Sequence, residues 1–220
     1  MRINKDTKVY GSFAKEAGNT GCKSFNSAFY YYQMNAIYKS FSVDSIEDAV
    51  NAAKALDFKG FAITMPYKKE VLKYVDDLSF EVEKIGAANT ILNSGGKLTA
   101  YNTDYYAAKT LLSKNSDNFD KTLYILGNGG YAAAVKEAAS SIGYHCEVIT
   151  RNNWHKIEEI KNSIVYNCTP VPNIVCDRSN VFIDCLTTTE TGRFLAATQA
   201  SHQFKIYTGQ EWPFQNEAKK

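Results

Sequence analysis

"TLYILGNGGYAAAVKEAASSIGYHCEVITR", residues 122–151, decides the fold of this 220-residue chain. A strand at 122–126, a glycine turn, a helix over 130–141 and a strand at 146–150 make one β-α-β unit of ordinary length. In Gly127-x-Gly129-Gly130-x-Ala132 the first glycine permits the tight turn. The second lets the backbone approach a pyrophosphate, and the small third residue lets helix pack on strand. The helix N-terminus adds N–H donors and positive potential for phosphates. Gly127, Asn128, Gly129, Gly130, Tyr131 and Ala132 are therefore read as a dinucleotide-binding turn. The second strand ends Ile149-Thr150-Arg151-Asn152, without the carboxylate that would hold a free ribose 2′-hydroxyl. Glu147 lies at the wrong end, and Arg151 can meet a 2′-phosphate bidentately, so NADP is favoured over NAD.

Upstream, strand and helix signals alternate, which argues for a parallel sheet. A strand over 7–12 is followed by the loop "KEAGNTGCK", a helix over about 24–35 and a strand over 36–43. Asp44, with Glu47 three residues on, is expected to cap a helix whose apolar face is Ile46, Ala49, Val50 and Ala53. Gly60 then opens a strand over 60–65. "ITMPYK" (63–68) stops that strand on a proline, which lacks the N–H of a central ladder and suits a helix's first position. A helix is expected from Pro66, with Lys68 in its first turn, where the dipole disfavours a cation and draws the lysine toward proton transfer. A short helix over 79–85 follows, then a hairpin around Ser94-Gly95-Gly96-Lys97. A helix over 104–114 is capped by Asp104. Beyond 151 come strands over 163–170 and 181–185 and a helix over 194–207.

The polar stretch "NSDNFDK" (115–121) reads as a boundary. The expected organisation is an α/β substrate domain, 1–103 joined by a returning 194–220, and a nucleotide domain, 104–193. The fold class is α/β, with a truncated Rossmann-like NADP-binding domain placed second.

Composition narrows the function. A net charge of +2, with 45% hydrophobic and 22% charged residues, gives no electrostatic footprint for nucleic acid. Five cysteines form no CxxC pair and three histidines no ligand spacing, so no metal is expected and the thiols are read as reduced. No signal peptide or spanning run is evident, and the expectation is a cytoplasmic monomer or homodimer acting on a small molecule.

Five motifs, "ITMPYK", "GAANTI" (86–91), "YNTD" (101–104), "GNGGYAAA" and Gln199-Ala200, occur in the order seen in shikimate dehydrogenases. The opening "KDTKVYGSFAKEAGNTG" resembles the shikimate dehydrogenase-like branch of that family. The resemblance covers nearly the whole chain. It implies reversible NADP-dependent reduction of 3-dehydroshikimate to shikimate, with Lys68 and Asp104 as the catalytic pair. By the same resemblance Thr64, Asn89, Thr103 and Gln199 contact the substrate. Thr150, Arg151 and Asn152 meet the 2′-phosphate, and Asn167 and Thr169 line the cofactor.

The sequence also departs from that family. The Ser-x-Ser-Pro segment that meets the substrate carboxylate is replaced by "AGNTGCKSF", where Asn19 or Ser12 substitutes. Asp184-Cys185-Leu186-Thr187 lacks the family's tyrosine, and the spacings Arg151–Asn167 and Asp184–Gln199 are short. Missing pieces of the cofactor domain and slow turnover are the corresponding expectations. Tyr105-x-x-x-Lys109 matches a short-chain dehydrogenase pattern, but the glycine turn stands too late in the chain for that class. A quinate-type or other polyol dehydrogenase, and a catalytically weak ligand-binding paralogue, are the competing readings.

Overall fold

The computed structural model describes residues 3–114 and 120–214, and it divides into two compact units. One comprises the chain up to Thr103 and from Ala200 onward; the other is Asp104–Gln199. Most of the 115–121 stretch lies outside the described residues.

The first unit is built on a six-stranded sheet in the order β2-β1-β3-β5-β6-β4. Strands β1 (Lys8–Ala14), β2 (Ala36–Ser42) and β3 (Gly60–Ile63) run parallel, with Ser12 opposite Ser40 on one side and Ala62 on the other. Between them lie α1 (Thr20–Tyr31) and α2 (Ile46–Ala55). Helix α1 starts and ends four residues earlier than its periodicity suggests, and Asn19 is its N-cap residue without a side-chain capping bond. Helix α2 buries Ile46, Ala49, Val50 and Ala53 as expected. Its cap is shifted by one residue: Ser45 is extended and its hydroxyl accepts from the Asp48 N–H at 3.1 Å, while Asp44 pairs with Lys15 at 2.6 Å.

After β3 the sequence expectation fails. Met65–Pro66 is a cis peptide, and Tyr67 N–H closes a turn onto the Thr64 carbonyl at 2.9 Å. Residues 65–69 are turn, followed by a 3-10 helix over Glu70–Tyr74. Lys68 therefore stands in the turn ahead of this short 3-10 helix and not in the first turn of an α-helix.

Short strand β4 (Asp77–Leu78) and helix α3 (Phe80–Ile85) lead to the hairpin β5 (Thr90–Ser94) and β6 (Lys97–Tyr101). Ser94 pairs with Lys97 across Gly95 (φ 64°) and Gly96 (φ 93°), the two positive φ values a tight hairpin loop demands. Phe13, Phe61, Ile63, Val71, Val82, Ile91 and Leu98 fill one core of this unit. Tyr10, Phe25, Phe29, Tyr38, Phe204 and Tyr207 fill another. Gly60 admits the Tyr207 ring, since a Cβ there would lie 2.5 Å from it.

The second unit holds β7 (Leu123–Leu126), α5 (Gly130–Ser141), β8 (Cys146–Ile149), β9 (Ile164–Asn167) and β10 (Val181–Asp184), with most of α4 (Thr103–Ser113) and half of α6 (Glu190–Thr208). Helix α6 begins four residues before the expected start. All four strands are parallel, in the order β10-β9-β7-β8. One sheet face packs on Ala107, Ala108 and Leu112 of α4, Ala132, Val135 and Ala138 of α5, and Leu195. The other is covered by Ile157 of a 3-10 helix over Arg151–Glu159, Ile160 and the loop residues Ile174 and Cys176. The Arg151–Asn167 spacing is thus filled by a 3-10 helix, with no α-helix between β8 and β9.

Candidate functional site

Parallel sheets bind ligands at the carboxyl ends of their strands, because loops and helix N-termini converge there. Each unit has such an edge.

In the first unit, three of the quoted motifs are tied together by backbone bonds. Ile63 N–H donates to the Asn89 carbonyl at 2.9 Å, Ala88 N–H to the Lys68 carbonyl at 2.8 Å, and Asn89 N–H to the Tyr101 carbonyl at 3.1 Å. Asn89, only 3% exposed, adds its side chain. Its Nδ2 donates to Thr103 Oγ1 at 3.0 Å, and its Oδ1 accepts from Thr103 N–H and Thr90 Oγ1, each at 2.8 Å. Asn102 Nδ2 donates to the Ala87 carbonyl at 2.8 Å. The half-buried Lys68 and the exposed Thr64 therefore stand on a turn braced from behind by "GAANTI" and "YNTD".

Gln203 was not singled out in the sequence. Its buried Nε2 donates to the Asn89 carbonyl at 3.1 Å and to Thr90 Oγ1 at 2.9 Å, completing the brace from α6. A glutamine on a helix gives no local signal of a partner more than a hundred residues away. Ser12 Oγ donates to Ser40 Oγ at 3.0 Å, near the ends of β1 and β2. Asn19 is exposed at the start of α1.

In the second unit the chain runs from β7 through α5 to β8, then crosses back over β7 to β9. The gap between the ends of β7 and β9 is the topological switch point, the place where open α/β sheets hold ligands. The glycine turn stands there. Gly127 has φ 108°, and a Cβ on it would sit 3.0 Å from Thr169 Cγ2 of the segment after β9. Gly129 is the N-cap of α5, and a Cβ there would have nothing within 4 Å. The turn thus leaves open space in front of the first N–H groups of α5, and this cradle fits a pyrophosphate. Ala132 is buried beneath it.

At the end of β8, Thr150 donates from N–H and Oγ1 to Asn153 Oδ1 at 2.6 and 3.1 Å, holding the turn that exposes Arg151 and Asn152. Trp154, Ile157, Val171, Pro172 and Ile174 line a cavity of about 280 Å³ between this turn and the segment after β9. Asn167 is fully buried and works within the protein. Its Nδ2 donates to the Val171 carbonyl and Asp184 Oδ1, both at 3.1 Å, and its Oδ1 accepts from Thr169 N–H and Oγ1 at 2.9 and 2.7 Å. It shapes the segment that carries Thr169.

Asp104, Tyr131, Cys185 and Gln199 line a second cavity, about 200 Å³, within this unit. Tyr131 hydrogen-bonds Tyr166 hydroxyl to hydroxyl at 3.0 Å, and burial raises both phenols well above their ordinary range, so the pair stays protonated. The tyrosine of the glycine turn therefore points into the unit. Among the described residues no cluster of His, Cys, Asp and Glu is placed to hold a metal ion, and no helix is long and apolar enough to cross a membrane.

Residues 21–91 match the shikimate dehydrogenase substrate binding domain. A shikimate dehydrogenase-like protein of Haemophilus influenzae is 34% identical over 151 residues, 68% of this chain and 56% of that relative. The NADP(+) shikimate dehydrogenase of Pyrococcus furiosus is 37% identical over 142 residues, 64% of this chain and 52% of its own length. The chain thus spans about half the length of these curated relatives. Among solved structures, a shikimate 5-dehydrogenase-like protein superposes with a TM-score of 0.82 at 26% identity, covering 99% of this chain and 96% of that one. A shikimate dehydrogenase in complex with NADP+ superposes with a TM-score of 0.74 at 25% identity, covering 96% of this chain and 93% of that one.

Proposed function

Since the chain belongs to the shikimate dehydrogenase family, we propose that it is an NADP-dependent oxidoreductase of the shikimate dehydrogenase-like branch that reversibly reduces 3-dehydroshikimate to shikimate. The observation that carries this reading is the brace joining Lys68, Asn89 and Thr103 in the first unit. A lysine on a turn tied at its back has its backbone held in place, which narrows where its ammonium can stand for proton transfer to a substrate oxygen.

Lys68 moves the proton to or from the reacting oxygen, and Asp104 accepts a hydrogen bond from the substrate hydroxyl. Thr64, Asn89, Thr103 and Gln199 orient the ring hydroxyls, while Ser12 and Asn19 stand for the missing serines toward the carboxylate. The N–H groups behind Gly127–Ala132 hold the pyrophosphate. Arg151, flanked by Thr150 and Asn152, holds the 2′-phosphate, and the cavity lined by Trp154 and Pro172 takes the flat adenine ring. Thr169 borders the pyrophosphate turn, on a segment shaped by Asn167. Bound nicotinamide supplies or accepts the hydride. We further propose that the chain acts in the cytoplasm as a monomer or homodimer, without nucleic acid or membrane partners.

One observation favours slow turnover. The second sheet has a face covered by a 3-10 helix and irregular chain, which leaves fewer fixed groups to orient a cofactor and exclude water. A misplacement of about 1 Å costs about 10²-fold in rate.

The test is a steady-state assay of the purified chain with NADPH/NADP and NADH/NAD, against shikimate and quinate, with calorimetric binding in parallel. NADP-dependent turnover of shikimate is expected. Turnover of quinate alone reassigns the substrate, and shikimate binding without turnover makes the chain a ligand-binding paralogue.

A further inference from the structure

We propose that Cys168 and Cys185 form a dithiol modification site, able to close into a disulfide at the wall of the cavity that holds Asp104. The geometry follows from strand register. β9 and β10 are parallel with Asn167 opposite Asp184, and Cys185 N–H continues the ladder to the Asn167 carbonyl at 3.2 Å. The side chains of Asn167 and Asp184 meet on one face at 3.1 Å. Side chains alternate along a strand, so the next pair, Cys168 and Cys185, points together to the opposite face. The packing agrees: Ile164 and Tyr166 of β9 and Ile183 of β10 lie in the same core cluster, and both cysteines pack against it. In-register neighbours on adjacent strands stand about 4.8 Å apart, inside the Cα separation a disulfide spans.

The two thiols are unequal. Cys185 lines the cavity with Asp104, Tyr131 and Gln199, so a small oxidant entering there meets Cys185 first. Cys168, half-buried like Cys185, does not line that cavity, and desolvation of its thiol together with the neighbouring Cys185 and Asp104 holds it protonated. With hydrogen peroxide as oxidant, Cys185 sulfur attacks a peroxide oxygen and becomes a sulfenic acid, releasing water. Cys168 sulfur then displaces the sulfenic hydroxyl, which takes the Cys168 proton and leaves as a second water. Two thiols are oxidised to one disulfide, and one peroxide is reduced to two waters. The cross-link draws the segment after β10 toward β9 and reshapes the cavity wall. Its effect on turnover rests on the dehydrogenase reading above; the cross-link itself does not.

The experiment treats the full chain with hydrogen peroxide, then maps disulfides by mass spectrometry and measures NADPH turnover before and after dithiothreitol. The expected product is about 2 Da lighter, with peptides carrying Cys168 and Cys185 joined and two of the five thiols lost to alkylation. Turnover should fall about tenfold or more and return on reduction. Cys168→Ala should leave Cys185 unlinked and trapped as a sulfenic acid. A disulfide joining other cysteines, or irreversible oxidation of the parent with no 168–185 link, overturns the site. A link that forms while turnover holds overturns its effect on the cavity. A link in a chain without turnover even when reduced keeps the site and removes the dehydrogenase reading.

Discussion

The carboxyl edges of the two sheets are built from different material. In the first unit, side chains do the work: Asn89, Thr103, Thr90 and Gln203 are buried and bonded to one another behind the Lys68 turn. In the second, the backbone does it: Gly127 and Gly129 clear space before the N–H groups of α5, and nothing crowds Gly129. A ring bearing several hydroxyls needs donors and acceptors at set angles, which only side chains held by others provide. A pyrophosphate needs several N–H groups at once, which a helix N-terminus already presents. The first edge is therefore sensitive to removal of a side chain and the second to addition of one.

The largest effect should come from removing Lys68, the group proposed for proton transfer at the first edge. Lys68→Ala is expected to lower kcat by roughly 10²–10⁴ while changing shikimate affinity less, as for loss of a general acid–base. Near-parental kcat would show that the brace holds some other group for the chemistry. Next comes Arg151→Ala, the side-chain exception on the backbone-built edge. Loss of a charge-assisted phosphate bond should weaken NADPH about 10- to 100-fold and leave NADH unchanged, read by calorimetry. Equal titrations of both cofactors on the parent would remove the basis for NADP preference.

Asn89→Ala strips the brace and leaves the buried Thr103 N–H without its 2.8 Å acceptor. It should lower unfolding free energy by about 1–3 kcal/mol in urea titrations. Stability within error of the parent would mean that the network relaxes around the gap. The two glycines make the sharpest pair. Gly127→Ala imposes a positive φ and a 3.0 Å contact, and should cost about 1–3 kcal/mol of stability. Gly129→Ala has allowed backbone angles (φ −87°, ψ −176°) and empty surroundings, so stability should stay within about 0.5 kcal/mol while NADPH affinity falls. If both variants lose only stability, the open space before α5 is not a ligand cradle.

Much of this was legible because local rules sufficed. The strand, glycine turn and helix of 122–141, the Gly95-Gly96 hairpin and the α2 face each follow from periodicity or a residue with special φ. Misreadings arose where two local solutions competed. Asp44 and Ser45 are both capping residues, and the backbone chose the second while Lys15 took the first. Pro66 fits a helix start as well as a cis turn, and only the bonds from Ala88 and to Thr64 distinguish them.

By itself, the sequence determined the α/β class, the position of the glycine turn and the ordered motifs that place the chain in its family. These depend on residue type and short spacing, which folding leaves intact. The tertiary structure decided which polar groups are consumed within the fold. Asn167 is consumed by Thr169, Val171 and Asp184, Tyr131 turns inward to Tyr166, and Gln203 reaches Asn89. It also set Cys168 beside Cys185 by strand register. Hydrogen-bond satisfaction and register depend on partners distant in sequence, and no local pattern encodes them.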